Sequence, residues 1–269
     1  YEMINFIYNQ KNTFLAISAM VIGVIFIDIH GLIVKYLGGE YSTIQLALFR
    51  NTFAIIPLIL LLIYNKESSE LFKNLNKKFI LFCFVRGSCF LAINILYYIA
   101  INNMEFATAS TLTFSSTFFI VILSIFFLGD KVGIYRWSAV IIGFIGVVMI
   151  MRPNSSIFSY YSILPILVAF LWAVQVIVLK FIPDNFSTGK IQFYSLFSSF
   201  LGSLVFIFFT TGHTYIETQS DFFILSLIGI FGGTAAILFI YSYRLIAASK
   251  IAVFEYLAIP SSFILAWIF

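Results

Sequence analysis

The chain has 269 residues, of which 62% are hydrophobic and only 10% charged, with a formal net charge of +4. Soluble domains carry about 25% charged residues, so a water-soluble fold cannot hide this much apolar surface and the bilayer must be the solvent. The positive balance lacks a basic stripe with interleaved aromatics, which excludes a nucleic-acid surface.

Nine long apolar segments follow one another, at about 13–34, 44–64, 79–101, 107–128, 132–151, 160–180, 190–210, 222–243 and 250–269. Each is near the ~20 residues a helix needs to cross ~30 Å of hydrocarbon. The first is too long for a cleavable signal and lacks a small-residue cleavage site. Cys83 and Cys89 share the third segment, so a structural disulfide is not expected. The connections are short; the longest, Asn65 to Lys78, leaves no room for a soluble domain. The predicted class is an all-α integral membrane protein.

Orientation follows from the cations. With the N-terminus in the cytoplasm, that side receives Lys11, Lys66, Lys73, Lys77, Lys78, Lys131, Arg136, Lys180, Lys190, Arg244 and Lys250. The outer side receives Lys35 and Arg152, and Arg50 and Arg86 lie within spans. This bias predicts a cytoplasmic N-terminus and reads the basic residues as interfacial anchors.

An internal repeat is visible between Asn94–Asp130 and Ala236–Phe269, each a run, a short polar break and a second run. A shift of 143 residues places Tyr98 on Tyr241, Ala109 on Ala252 and Thr117 on Pro260. If segments 3 and 4 match segments 8 and 9, the unit is five spans, and an odd unit enters the membrane upside down the second time. The expected organisation is therefore two inverted repeats, 12–152 with five helices and 160–269 with four, the tenth helix missing through truncation. Such repeats are a recurring transporter architecture, with the site at their interface.

Several stretches are specific. They are Leu48-Phe49-Arg50-Asn51; Arg86-Gly87 with Tyr97-Tyr98-Ile99-Ala100; and Ala107-Thr108-Ala109-Ser110 through Phe127-Leu128-Gly129-Asp130-Lys131-Val132. Arg136-Trp137, Gly143-Phe144-Ile145-Gly146 and Arg152-Pro153 follow. On these stretches the chain resembles the drug/metabolite transporter superfamily and, within it, the EamA family of ten-helix carriers. Phe254-Glu255-Tyr256 is similar to a subset that includes S-adenosylmethionine uptake carriers. The resemblance implies a bundle with a central cavity, alternating access and a place in the bacterial cytoplasmic membrane. It also implies that the Gly143 helix pairs with the tenth. Asp130 stands where the family usually has Glu. Thr117 stands where many members have Pro, which puts a helix break in the fourth span in doubt.

Ionisable residues inside hydrocarbon are costly, so each needs a reason. Asp28, His30, Arg50, Arg86 and Glu255 are the cases here. Depth along the helices allows two pairs, Asp28–Arg50 and Arg86–Glu255, which act either as static glue or as working groups. Arg86, Phe90, Asn94 and Tyr97 are spaced 4, 4 and 3, one stripe along a helix, suited to a polar cavity wall or to hydrogen-bonded packing. Thr108, Thr111 and Ser115 form a second stripe, read first as close helix packing. Trp172 and Gln175 share a face, as do Glu255, Ile259 and Ser262. His30 lies about 200° around its helix from Asp28 and reads as packed. His213 reads as a solvated loop residue.

Catalysis finds no support: no metal spacing, phosphate loop, nucleophile elbow or carboxylates paired on one face. No cofactor or metal is expected. The reading is a secondary carrier for a small organic metabolite, amino-acid-like or S-adenosylmethionine-like. Arg86 would take an anionic group, and Glu255 a cationic group or the coupling proton, with Asp28 a second coupling candidate. Asn94, Tyr97, Trp172 and Gln175 would shape the pocket. Proton coupling and a homodimer are further expectations. The alternatives are a non-transporting membrane interaction protein with a carrier fold and an integral-membrane enzyme.

Overall fold

The computed structural model describes residues 2–37, 40–151, 160–210, 214–216 and 218–268. Arg152, Pro153 and His213 lie outside these. Among the described residues all regular structure is helical. The α-helices are α1 (Glu2–Leu37), α2 (Thr43–Phe53), α3 (Ile55–Tyr64), α4 (Lys77–Asn103), α5 (Phe106–Thr113), α6 (Ser116–Leu128), α7 (Ile134–Met151), α8 (Ile163–Lys180), α9 (Thr188–Phe209), α10 (Gln219–Leu245), α11 (Ala248–Ile251) and α12 (Ala258–Ile268). Short 3₁₀ helices lie at Ser68–Glu70, Tyr160–Ser162 and Ala252–Leu257.

Each predicted apolar segment is helical, with ends displaced by a few residues, except that α1 begins at Glu2. Among the described residues, eight stretches are long and apolar enough to cross a membrane, 132–151 of the nine expected segments not being among them: Gln10–Leu37, Thr43–Tyr64, Lys77–Asn103, Phe106–Leu128, Tyr160–Lys180, Thr188–Phe209, Gln219–Leu245 and Ala248–Leu265. The chain is a multi-pass membrane protein.

Polar side chains set the helix starts. Asn76 Oδ1 accepts from Phe79 N at 2.6 Å, and Thr218 Oγ1 from Asp221 N at 3.1 Å. Ser42 caps α2 and Ser187 caps α9 in the same way. Each satisfies an amide that the helix leaves unpaired. Gly129, at φ 68, closes α6 in the left-handed region, where a side chain would be strained.

Three spans are broken. Pro57 follows the break at Ala54 and Pro260 follows the 3₁₀ stretch, each removing an amide and crowding the carbonyl four residues back. The break between α5 and α6 has no proline. The sequence put it in doubt because of Thr117, and the structure keeps it. Phe114 N donates to Thr111 O and Ser115 N to Leu112 O, at 3.1 and 3.2 Å, which tightens the turn. Thr113 and Ser115 hydroxyls bond carbonyls three residues back, a habit that bends helices. This kink and the 3₁₀ stretch of the last span meet: Thr117 Oγ1 donates to Ala252 O at 3.1 Å.

α1 packs along α10, and α4 along α8 and α9, while α2 lies against α10 and α9. Gly87 and Gly229 lie where the neighbouring helix comes too close for a side chain. A Cβ on Gly87 would lie 2.3 Å from Ser195 O, and one on Gly229 2.4 Å from Phe53 Cβ. Small residues let backbones approach where hydrophobic attraction between helices is lost. One apolar cluster joins Ala16, Phe79, Leu179 and Tyr243 at one end of the bundle. A second joins Leu37, Leu46, Ile101 and Leu225 at the other.

Several cations do more than anchor. Lys35 Nζ donates to Ile101 O and Met104 O at the end of α4, and Lys180 Nζ to Ile246 O beyond α10 at 2.7 Å. Lys190 Nζ serves Glu70 O and Lys73 O, and Arg244 serves Asp184 O. These side chains fold back onto carbonyls that helix ends and turns leave open, instead of reaching outward.

Candidate functional site

Between the two apolar clusters lies a cavity of ≈ 130 Å³. α1 supplies Asp28 and His30; α4 supplies Phe90, Asn94 and Tyr97. Thr113, Phe114 and Ser116 come from the α5–α6 kink, Trp172 from α8, Phe239 from α10, and Glu255 from the 3₁₀ stretch.

Glu255 is 5% exposed and fully engaged. Its Oε1 accepts from Trp172 Nε1 at 2.8 Å and from the Tyr243 hydroxyl at 2.5 Å, and its Oε2 from Ser116 Oγ at 2.9 Å. The three donors stand on α8, α10 and α6, so one carboxylate ties three elements together. The break between α11 and α12 carries Glu255 to the point where the α5–α6 kink presents Ser116. Asp28 Oδ2 accepts from Ser261 Oγ on α12. Asn94, 5% exposed, has no hydrogen-bond partner at Nδ2, and Tyr97 OH shares a 2.9 Å bond with Ser110 Oγ.

A second hollow, of ≈ 20 Å³, lies on the Tyr243 side. Arg86, Gln175, Gln192 and Ser195 line it, and Phe90, Trp172 and Phe239 wall both spaces. Arg86 Nη1 donates to Gln175 O at 2.7 Å; Arg86 Nε and Gln175 Nε2 have no partner. The Arg86 guanidinium and the Glu255 carboxylate therefore sit on either side of an aromatic partition.

Both ion pairs expected from depth are corrected. The ion pairs Lys73–Glu70 and Arg244–Asp184 lie within 4.0 Å and involve none of Asp28, Arg50, Arg86 and Glu255. Arg50 instead donates to Asn51 Oδ1 at 3.2 Å and Gly232 O at 2.9 Å, and stacks 3.9 Å from the centre of the Phe90 ring. Depth alone says nothing about rotation around the helix, and neutral donors and carbonyls reached these charges first.

The structure brings Asn94, Tyr97, Trp172, Glu255 and Asp28 to one cavity, and Arg86 and Gln175 to the hollow beside it. It also sets two carboxylates, Asp28 and Glu255, in one space, from elements far apart in sequence. His30 shares that cavity despite its angular offset from Asp28, and bonds Tyr98 OH at 2.9 Å. Thr108 bonds Glu105, Thr111 bonds Ala107 O and Ser115 bonds Leu112 O, so the hydroxyls of that stripe are met within their own span, and none of the three lines the cavity. The Glu255–Ile259–Ser262 face is lost, because the 3₁₀ stretch changes the phase and Ser261, not Ser262, meets Asp28. A Cβ on Gly143 would lie 2.4 Å from Tyr256 Cζ, while nothing stands within 4 Å of one on Gly146. Ser116, Tyr243, Phe239 and Ser261 escaped the sequence reading. Of these, Tyr243 alone carries a signal in the sequence, which the reading did not use: the polar Tyr-Ser-Tyr run at 241–243 inside an apolar segment.

Comparison with known proteins bears on this geometry. The chain is 25% identical over 237 residues to an S-adenosylmethionine uptake transporter of Rickettsia bellii, covering 87% of this chain and 77% of that one. It is 26% identical over 157 residues to a riboflavin transporter of Rhizobium johnstonii, covering 58% and 51%. A pseudopaline exporter of Pseudomonas aeruginosa is 21% identical over 238 residues, covering 88% and 81%. One crystal structure superposes with a TM-score of 0.73 at 16% identity, over 97% of this chain and 89% of that chain, a likeness of fold alone. The model of the EamA-like transporter family matches residues 14–152, just over half of the chain, and the chain belongs to that family.

Proposed function

We propose that this protein is a secondary carrier that moves a small amphoteric metabolite across the bacterial cytoplasmic membrane by alternating access. The observation that carries this reading is the cavity itself. Two carboxylates, an unpaired amide and the rings of Phe90, Tyr97, Phe114, Trp172 and Phe239 surround a space in mid-bundle. Carboxylates and aromatic faces suit a cationic group, and Arg86 with Gln175 across the partition suits an anionic one. A cavity of ≈ 130 Å³ takes an amino-acid-like molecule, since a dry cavity of about 150 Å³ holds benzene. S-adenosylmethionine, the named cargo of one relative, needs the partition to swing aside.

Two inverted five-span repeats, with α7 as the fifth span of the first, fit the helix geometry. α4 and α10 are both 27 residues, start at side-chain caps and end on extended residues, Met104 and Ile246. They match at a shift of 142, one less than the sequence comparison used. α1 against α10 then corresponds to α8 against α4. The orientation rests on the distribution of Lys and Arg. In intact cells Thr214→Cys should react with an impermeant thiol reagent added outside and Ser69→Cys should not; the reverse pattern inverts the topology.

Glu255 is the coupling group in this reading. Trp172 can only donate, so a proton placed on Glu255 must be met by the Ser116 or Tyr243 hydroxyl turning round to accept, and the charge-assisted bonds to a carboxylate give way to weaker neutral ones. The clip joining α6, α8 and α10 then loosens. A proton that acts in this way distinguishes two conformations, which a driving ligand must do. Asp28, bonded to Ser261 on α12, is the second candidate. Asn94, Tyr97 and Trp172 shape the pocket. The test is a thermal-shift screen of amino acids, S-adenosylmethionine and riboflavin on the purified protein, followed by counterflow in proteoliposomes with each stabilising compound. A stabilising compound that also exchanges supports the reading; stabilisation without exchange refutes transport.

A further inference from the structure

The hollow beside the cavity holds two unpaired donors and a buried cation. Arg86 is 4% exposed and has no carboxylate within ion-pair distance, and its Nε–H is unpaired. Gln175, also 4% exposed, leaves Nε2 unpaired on the same hollow. Both groups can only donate. Water accepts such bonds and can hand its protons to the Gln192 amide oxygen or the Ser195 hydroxyl on the same hollow, but it carries no charge to set against the guanidinium. An anion accepts from every donor and offsets the buried guanidinium, whose isolation is otherwise costly. Phe90, Trp172 and Phe239 screen the hollow from the carboxylates of the cavity and keep its dielectric low, which strengthens attraction to an anion.

We propose that the hollow walled by Arg86, Gln175, Gln192 and Ser195 is a binding site for one small monovalent anion, supplied either as a free halide or as the carboxylate end of the cargo. Size sets the class. A space of ≈ 20 Å³ holds one water-sized group, one such sphere needing roughly 10–15 Å³. Chloride, bromide and a single carboxylate oxygen fit; sulfate and gluconate do not. The proposal rests on reading Arg86 as an anion-binding group and is independent of whether the protein transports.

The test uses the full chain, purified without cargo, at constant sodium concentration. Sodium gluconate is replaced stepwise by chloride, bromide, formate or sulfate, and the melting temperature is followed. The expected result is a saturable rise of several degrees with halide or formate and none with sulfate. Gln175→Leu should move the half-saturating concentration up by about tenfold, the loss of one hydrogen bond to a charged partner. Arg86→Gln should abolish the rise, and if that variant does not fold, Gln175→Leu alone decides. A rise with halide and not formate assigns a free ion; a rise with formate, which then displaces chloride, assigns the cargo carboxylate. Identical melting in all salts overturns the proposal, as does a rise that Gln175→Leu leaves unaltered. A failure of counterflow with the anion response intact refutes only the carrier reading. Loss of the anion response with counterflow intact refutes only this site.

Discussion

Glu255 and Arg86 lie on opposite sides of the same three aromatic side chains, and the fold treats them in opposite ways. Glu255 receives three hydrogen bonds from three helices. Arg86 gives one to a backbone carbonyl and keeps an N–H unused. The sequence suggests that the two pair with each other; the structure shows that a buried charge can be met without an opposite charge. Neutral donors satisfy the carboxylate so completely that it works as a clip. The guanidinium, only partly met, stays receptive. A clip should be expensive to remove and a receptor cheap, so stability and binding should separate between the two sites.

The largest effect should come from Glu255→Ala. It strands three buried donors at about 1–3 kcal/mol each, so melting should fall by roughly 10 °C or more. Arg86→Ala strands far less and should melt within about 5 °C of the parent, while losing affinity for carboxylate-bearing ligands by roughly 10- to 100-fold. Equal losses of stability in the two variants would erase the distinction between clip and receptor. Trp172→Phe should have the smallest effect. It removes one donor to Glu255 Oε1, keeps an aromatic wall, and leaves Tyr243 on the same oxygen. A cost of about 1 kcal/mol is expected, read as a melting shift of a few degrees. A loss as large as that of Glu255→Ala would mean that Trp172, and not the carboxylate, holds the three elements together.

The helices of eight of the nine expected spans were legible at membrane-crossing length because the hydrocarbon thickness dictates that length. The Phe90–Asn94–Tyr97 stripe was legible because α4 is a continuous helix whose 3.6-residue period survives. The partners of Glu255 were not. They arrive through the kink at Phe114–Ser115 and the 3₁₀ stretch Ala252–Leu257, and both break the helical phase on which spacing arguments depend. Ser116 and Tyr243 are ordinary residues until two breaks turn them towards one carboxylate. The cations were half legible. Their side of the bundle can be counted, but that Lys35, Lys180 and Lys190 end on carbonyls depends on where α4, α10 and the 66–73 turn stop. The partition was partly visible: Phe90 and Trp172 stand on polar faces of their helices, but nothing among the many Phe residues singles out Phe239 as the third wall.

The central claim is that Glu255 couples a proton to movement of a cargo it need not bind. The direct measurement compares counterflow and pH-gradient-driven flux of one stabilising compound in proteoliposomes, for the parent protein and Glu255→Gln. The account predicts that the variant exchanges substrate within about threefold of the parent and loses at least ~10-fold of the gradient-driven flux, the split expected when a coupling interaction is removed and binding is kept. Gradient-driven flux that survives Glu255→Gln at the parent rate would contradict it.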